Sequence, residues 1–532
     1  MKPLALLTAT LLVLVAQFAR AAVVTTQSGS IRGVSADARG DVTVYRGIPY
    51  AAPPTGALRW REPQAPLPWT GVRDASAPVP GCIQTVAPNR LPWTDEFMHH
   101  GAVSEDCLYL NVWTPARAAA DRLPVLVFIH GGSFTEGSVS VPLYDGTALA
   151  RRGLVVVTIN YRLGALGFLA HPALVAESPH HASGNYGLMD QVAALRWLRA
   201  NVAAFGGDSN RVTIAGQSAG AMSVHLLTVS PQAKGFFQRA IIESGPGALA
   251  ALGIADGKAA TVPLEEAQQT GVNFARSLGA TTAAQLRALP AARLLARPAG
   301  ETAVRFGPVV DGWFLPADAD TAYAAHTQND VPLLIGMMAD EASASPGYDA
   351  ARAQATRGQG LRALDALLAA RAKTSTHAAY AYYFEHAVPW PQHPQFGAFH
   401  SGELPYVFDD LAGLKRPWTA MDRTLAVAVS FLLGCLCSQW QAFGQLAAEV
   451  ACLPARIPEV HGVRGAPRGA RPVTGTVTAA ASFTAPCVTA EIQRASPPGS
   501  ATSHGKAPAN TGPGDDRSPS PMPAMDCRQR SR

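Results

Sequence analysis

The sequence is poor in charge for its length. Asp, Glu, Lys and Arg together make up 15% of the 532 residues, against about 25% in an average globular chain. The formal net charge of +5 is small for a chain of this size, so we predict no nucleic-acid surface. No repeat of fixed period is present, which argues against a repeat protein. With 48% hydrophobic residues, the chain can bury a sizeable core.

Long apolar runs are also scarce, and the one at the N-terminus carries a processing signature. Met1 and Lys2 precede an almost wholly apolar run over Leu4–Phe18, and Ala19–Ala21 supplies an A-x-A cleavage pattern. A membrane anchor is the alternative, but the run is shorter than the roughly 20 residues that span a bilayer. We therefore predict a cleaved signal peptide over residues 1–21, no stable membrane span, and a secreted or periplasmic protein.

Cysteine is sparse where the sequence is well patterned. Only Cys82 and Cys107, two of the seven cysteines, lie in that part. The other five crowd the C-terminal stretch: Cys435, Cys437, Cys452, Cys487 and Cys527. Export would place the chain in a compartment where disulfides persist.

Short apolar segments rich in β-branched residues predict buried strands at Val125–Ile129, Val155–Ile159 and Val212–Ala215. Between them, apolar residues at helical spacing predict a helix over Gly187–Phe205. Strands that alternate with helices predict an α/β domain, here over residues 22–430, with a mostly parallel central sheet and helices on both faces. Catalytic groups of such sheets gather at the carboxyl ends of the strands.

A candidate nucleophile follows the third of these strands. The segment Gly216–Gly220 reads GQSAG and matches G-x-S-x-G, and the helix-compatible segment Ala219–Leu227 overlaps its end. Strand, sharp turn and helix form the setting of a nucleophile elbow, in which Ser218 is lifted above the sheet. The alternative is a glycine-rich turn with a serine that only caps the helix.

A glycine-rich loop follows the first strand. The segment His130–Phe134 reads HGGSF. Backbone N–H groups that converge on one negatively charged oxygen need such a loop, because side chains would obstruct their approach. The alternative is an ordinary loop, although its place after a buried strand argues against that.

Further motifs along the chain resemble those of one family. They are YRGIPYA at 45–51, SEDCLYLNV at 104–112, NYRLG at 160–164, GNYGLMDQ at 184–191 and FGGD at 205–208. Together with the two glycine-rich segments, they make the chain resemble the type B carboxylesterases, the cholinesterase-like and para-nitrobenzyl-esterase-like family of the α/β-hydrolase fold. The resemblance extends from residue 23 to residue 430.

The resemblance implies a complete catalytic set. Residues 336–341 follow the predicted strand Val331–Gly336 and match the G-x-x-x-D-E segment of the family, which implies that Glu341 is the acid and Asp340 a structural hydrogen-bonding group. Residues 399–406 match F-H-x-x-E-L-P-[FY], which implies that His400 is the base. A lone histidine among aromatic residues is otherwise more often structural.

The resemblance also assigns the remaining site residues. The oxyanion donors would be the N–H groups of Gly132, Ser133 and Ala219, with Gly131 shaping the loop. Cys82 and Cys107 would form the disulfide around the loop over the active-site gorge; two unpaired thiols are the alternative.

The implied activity is hydrolysis of carboxylic esters through an acyl-enzyme intermediate, with a small-molecule ester and water as partners and without a metal or organic cofactor. Two alternatives remain: a non-catalytic cholinesterase-like binding protein, and an inactive, damaged product of an esterase gene. The sequence leaves the oligomeric state open.

Some positions depart from the family pattern. Gln217 replaces a glutamate, Ala221 and Ala342 replace glycines, and Ser133 replaces a glycine or alanine. The segment between Glu341 and His400 is shorter than in relatives, as if a helical segment were missing near residues 350–356.

The C-terminal stretch loses the pattern altogether. We predict that residues 431–532 form an aberrant, largely disordered tail, because beyond about Gly465 it is rich in Pro, Gly, Ser, Thr and Arg. Reverse translation of Phe431–Pro454, read one nucleotide later with permitted codons, gives a family-like ending with aromatic helix residues. A frameshift near Ser430 is therefore our hypothesis for this tail.

Overall fold

A computed structural model describes residues 23–86, 90–252, 261–295 and 304–438, and the backbone of residues 480–483. The predicted signal peptide, residues 1–21, lies outside the described residues. So does most of the predicted tail, including Cys452, Cys487 and Cys527.

The strands and helices alternate through most of the chain. The strands are β1 (Val23–Thr26), β2 (Gly29–Arg32), β3 (Val34–Ser35), β4 (Thr43–Pro49), β5 (Val72–Asp74), β6 (Gly81–Cys82), β7 (Val103–Ser104), β8 (Tyr109–Thr114), β9 (Leu123–Ile129), β10 (Val155–Ile159), β11 (Gly207–Gln217), β12 (Arg239–Glu243), β13 (Val262–Pro263), β14 (Val309–Val310), β15 (Leu333–Met338), β16 (Ala379–Phe384) and β17 (Ala480–Phe483). The α-helices are α1 (Thr147–Arg151), α2 (Gly164–Phe168), α3 (Pro172–Glu177), α4 (Tyr186–Asn201), α5 (Ala219–Leu227), α6 (Pro246–Ala251), α7 (Leu264–Ser277), α8 (Ala283–Ala288), α9 (Ala291–Leu295), α10 (Ala319–Ala324), α11 (Ala350–Ala372), α12 (Leu404–Val407) and α13 (Ala420–Ser438).

Ten of the strands form one large sheet, in the order β17-β16-β15-β12-β11-β9-β10-β8-β4-β3. The pairs from β17 to β10 are parallel, and β8, β4 and β3 add an antiparallel edge. The predicted strand Val155–Ile159 has the predicted bounds and pairs residue for residue with Val125–Ile129. The prediction of a mostly parallel sheet is confirmed.

Both faces of the sheet are covered, as predicted. Successive residues of β9 belong to two separate cores: Val125 and Val127 pack with helix α4, whereas Leu126 and Phe128 pack with helix α13. Because side chains alternate across a strand, an apolar run such as β9 is expected wherever helices cover both faces. The predicted helix over residues 187–205 is helix α4 followed by a 3-10 turn at Val202–Phe205.

The region near residues 350–356, where a helical segment seemed to be missing, is part of the continuous 23-residue helix α11. The Asp349 side chain caps its N-terminus by accepting a hydrogen bond from the Arg352 N–H at 2.8 Å. Gly360 allows close packing within this helix: a Cβ there would lie 2.4 Å from Met337 Cε and 2.9 Å from the Gly247 carbonyl oxygen. That the segment between Glu341 and His400 is shorter than in relatives stays a prediction.

The domain boundary predicted after Ser430 falls inside helix α13, which runs on to Ser438. Leu432, Leu433 and Leu436 are buried against the sheet. This helix is long and apolar enough to cross a membrane by composition alone, but half of it is buried in the protein. Strand β17 lies inside the predicted disordered tail and pairs in parallel with β16. The folded part therefore extends beyond residue 430, because apolar packing and strand pairing continue past the point where family motifs end.

Candidate active site

Ser218 lies at a sharp turn between strand β11 and helix α5. Its φ of 58° and ψ of −121° are strained for a residue with a side chain. Gly220 permits this turn, because a Cβ there would lie 1.9 Å from the Ile129 carbonyl oxygen on the neighbouring strand. The Ser218 N–H donates to the Glu243 carbonyl oxygen at 2.9 Å, which fixes the turn to strand β12.

His400 reaches Ser218 from a loop that precedes helix α12. Its Nε2 lies 2.8 Å from the Ser218 Oγ. The indole N–H of Trp93 donates to the His400 carbonyl oxygen at 3.1 Å and holds the loop from the other side. The serine hydroxyl can therefore transfer its proton to the imidazole without a rearrangement of either side chain.

Glu341 contacts the other nitrogen of the imidazole. Its Oε2 is hydrogen-bonded to His400 Nδ1, and its Oε1 accepts from the Met338 N–H at 2.8 Å. The carboxylate is buried, with 2% of the residue exposed. Such a group fixes the tautomer of the imidazole and stabilises its cation.

The electrostatics of His400 are a balance of opposing effects. Burial lowers the pKa of the imidazole, because the cation loses its hydration, but the charge and hydrogen bond of Glu341 raise it. The net result is a pKa above the ordinary value for histidine. The neutral base is therefore lost as the pH falls through this raised pKa.

Asp340 makes the structural hydrogen bonds expected of it. Its Oδ2 accepts from the Ala398 N–H at 3.0 Å and its Oδ1 from the Tyr348 hydroxyl at 3.0 Å. A backbone bridge also joins Asp340 to Phe399, the residue before His400. Ala342 is not among the residues with positive φ, so its side chain is accommodated where relatives carry glycine.

The glycine-rich loop packs directly against the nucleophile. A Cβ on Gly131 would lie 3.0 Å from the Ser218 Cβ, and one on Gly132 would lie 2.1 Å from the Glu136 carbonyl oxygen. Gly132 and Ser133 have φ values of 108° and 55°. Their N–H groups donate to no acceptor among the described residues, and Ala219, the first residue of helix α5, has no intrahelical acceptor for its own. These three donors are available to an anion.

His130 supports this loop without titrating near neutrality. Its ring stacks on Tyr161 with a centroid distance of 4.5 Å, and its Nδ1 is 2.8 Å from the Gly131 carbonyl oxygen. Burial lowers its pKa to about 4. The imidazole of His130 is therefore neutral near pH 7 and serves to pack the loop against Tyr161.

A cavity of about 250 Å³ opens beside these groups and is lined by Ser218, His400 and the glycine-rich loop. The disulfide between Cys82 and Cys107 closes the loop that forms another wall. Within that loop, Gln84 Nε2 donates to the Gly137 carbonyl oxygen and Gln84 Oε1 accepts from the Gly137 N–H, each at 2.8 Å. Further lining residues from the same loop are Thr85, Arg90, Trp93, Phe97, Met98 and His99.

Several residues of the site were not identified from the sequence. Trp93 and Gln84 lie in a loop without a motif, so only the tertiary structure reveals their place. Glu403 stands inside the motif that identified His400. Glu243 ends strand β12 and Ser244 follows it, and this position at the carboxyl end of a strand was the signal available for them.

A mostly parallel sheet with helices on both faces, and a serine on a strained turn after a central strand, define the α/β-hydrolase fold. Comparison with known proteins narrows this class. A model of the carboxylesterase family matches residues 20–360. The chain therefore belongs to the carboxylesterase family.

Individual relatives agree with this assignment. Para-nitrobenzyl esterase of Bacillus subtilis is 36% identical over 433 residues, which cover 74% of this chain and 84% of the relative. Fumonisin B1 esterase of Sphingopyxis macrogoltabida is 42% identical over 322 residues, but these span only 56% of its length and 60% of this chain. A solved structure of PNB esterase superposes with a TM-score of 0.67 at 32% identity, over 79% of this chain and 91% of that one.

Proposed function

We propose that the protein hydrolyses carboxylic esters of small molecules with Ser218 as the nucleophile. The observation that carries the proposal is the hydrogen-bonded row Ser218–His400–Glu341 at the edge of a cavity. The names of the relatives, which are esterases, support the reaction class.

The geometry supports an acyl-enzyme reaction. His400 Nε2 takes the proton of Ser218 as Oγ bonds to the ester carbonyl carbon, and the carbonyl oxygen becomes an oxyanion held by the N–H groups of Gly132, Ser133 and Ala219. His400 then protonates the departing alcohol, which leaves an acyl group on Ser218. Water, deprotonated by His400, attacks this acyl carbon, and His400 returns the proton to the Ser218 Oγ as the acid leaves.

The experiment uses a short p-nitrophenyl ester and compares the native chain with the Ser218→Ala variant. We expect turnover with a burst of p-nitrophenol equal to the enzyme concentration where deacylation is slow, and loss of turnover by a factor of about 10⁴ to 10⁶ in the variant. Melting curves confirm that both chains are folded. A folded native chain without turnover would instead support a binding protein, and an aggregated one would support a damaged product.

We also propose that the chain is exported. The buried disulfide between Cys82 and Cys107 is typical of an oxidising compartment, and it agrees with the predicted signal peptide. Mass spectrometry of the protein from the extracellular or periplasmic fraction tests this: an N-terminus at Ala22 is expected, and an intact Met1 contradicts cleavage.

A further inference from the structure

A second group of ionisable residues lies behind the Ser218–His400–Glu341 row. Glu243 and Glu403 are each 2% exposed. Glu243 ends strand β12, whose backbone holds the Ser218 N–H, and Glu403 follows His400 by three residues. Neither carboxyl group forms an ion pair with a lysine or arginine among the described residues. Two buried carboxyl groups without a counter-charge cannot both ionise at neutral pH.

The strand register places Glu243 beneath the site, and the next residue, Ser244, binds Glu403. Gln217, Glu243, Gly336 and Tyr382 stand side by side on four neighbouring parallel strands, so their side chains share one face of the sheet. Gly336 has no side chain, and the Tyr382 ring occupies that space: a Cβ on Gly336 would lie 2.3 Å from Tyr382 Cδ1. The result is a buried polar layer directly beneath the site.

Three buried polar atoms of this layer have no hydrogen-bond partner among the described residues. The Ser244 hydroxyl donates to Glu403 Oε1 at 3.0 Å. Glu403 Oε2, Glu243 Oε2 and the Tyr382 hydroxyl are buried and have no hydrogen-bond partner among the described residues. A buried carboxylate oxygen without a donor is costly, and protonation of the acid removes most of that cost.

We propose that Glu243 and Glu403 act as a buried acid pair that sets the protonation of His400: Glu243 stays neutral, and Glu403 supplies a negative charge that switches with pH. This inference rests on the proposed function of Ser218 and His400. Both are positioning residues, since neither touches the reacting atoms.

The direction of each shift supports this division of roles. Burial, followed by the charge of Glu403, raises the pKa of Glu243 well above its usual range. Burial, followed by the charge of Glu341, raises the pKa of Glu403 to about 7. Glu403 in turn raises the pKa of His400. The other groups that face the pair are Tyr144 and Tyr382, and burial raises the pKa of both phenols, so they remain neutral.

The first experiment measures protonation without turnover. Infrared difference spectra between the native chain and Glu243→Gln at neutral pH should show the carbonyl stretch of a buried carboxylic acid, lost in the variant. No such band would overturn the proposal. This readout does not depend on catalysis, so it separates failure of this inference from failure of the proposed esterase activity.

The second experiment follows kcat/KM against pH with a p-nitrophenyl ester. In Glu403→Gln the switching charge is gone, so the pKa of His400 falls and the acid limb should move to lower pH by about one unit. Glu243→Gln replaces one neutral group by another and should leave the limb in place. An unmoved limb in Glu403→Gln, or an equal shift in both variants, would overturn the proposal.

Ser244→Ala provides a milder variant in case Glu403→Gln does not fold. Loss of the Ser244 hydrogen bond keeps Glu403 protonated to higher pH, so the acid limb should again move to lower pH, by less than in Glu403→Gln. A shift in the opposite direction would contradict the mechanism.

Discussion

Two regions of the molecule build the candidate site in different ways. Residues 20–360 match the family model and contain Ser218, the glycine-rich loop and Glu341. His400 comes from beyond this match, yet its Nε2 lies 2.8 Å from the Ser218 Oγ. The difference shows that a residue outside the matched range can be brought to the candidate nucleophile by a few tertiary contacts with that range.

The contacts that place His400 come from the matched region. Asp340 bonds to Ala398 and bridges to Phe399, and Trp93 donates to the His400 carbonyl oxygen. The C-terminal region is fixed in turn by Asp422, which accepts from the Tyr406 hydroxyl at 2.7 Å. The matched region therefore supplies the contacts that position the loop of His400.

The largest effect should follow from loss of the base. We expect His400→Ala to lower kcat by a factor of about 10³ to 10⁵, because no other side chain among the described residues is hydrogen-bonded to the Ser218 Oγ. His386 is the matched control: it also bonds to a carboxylate, Asp422, at 2.8 Å. Steady-state assays should show that the kcat of His386→Ala stays within severalfold of the native value. Equal losses in the two variants would mean that His400 is only structural.

A large stability effect should follow in the matched region from the buried ion pair of Arg162 and Asp190, which are 3% and 0% exposed at their side chains. Asp190→Ala leaves the guanidinium charge unpaired and should lower the free energy of unfolding by about 3–5 kcal/mol, measured by urea titration. Arg122→Ala is the control, because the Arg122 side chain is 65% exposed and its loss should cost under about 1 kcal/mol. Similar losses from both would show that the buried ion pair contributes no more to stability than an exposed one.

A smaller effect should follow from removal of the disulfide. The double variant Cys82→Ser, Cys107→Ser should unfold with a free energy lower by about 2–4 kcal/mol. It should also show a raised KM, because the freed loop carries cavity-lining residues such as Trp93. Urea titration and steady-state kinetics test both points. A lowered stability with an unchanged KM would show that the loop does not contribute to substrate binding.

The smallest effect should follow from deletion of residues 484–532. Their composition predicts disorder, so kcat/KM and the melting temperature should stay within experimental error of the full chain. A matched deletion from residue 431 onward removes the buried Leu432, Leu433 and Leu436 and should instead give an insoluble product.

Sequencing of the gene across codons 425–435 tests the frameshift hypothesis, and an intact frame would contradict it.

Much of the fold could be predicted from local patterns. Strands such as Val155–Ile159 are short, apolar and β-branched because helices cover both faces of the sheet, and this leaves a signal that needs no tertiary information. The glycine inside helix α11 leaves no such local signal. Gly360 lies against helix α6, and only the tertiary structure shows this close approach.

The sequence by itself determined the strand-turn-helix setting of Ser218 and the glycine-rich loop, because both depend on backbone conformations that only certain residues permit within a few positions. Resemblance added Glu341 and His400. Only the tertiary structure decided that these groups meet, that Trp93 and the disulfide loop wall the cavity, and that Glu243 and Glu403 lie together beneath it. The physical reason is that distance, burial and the absence of a counter-charge arise between segments far apart in the chain, and no local pattern records them.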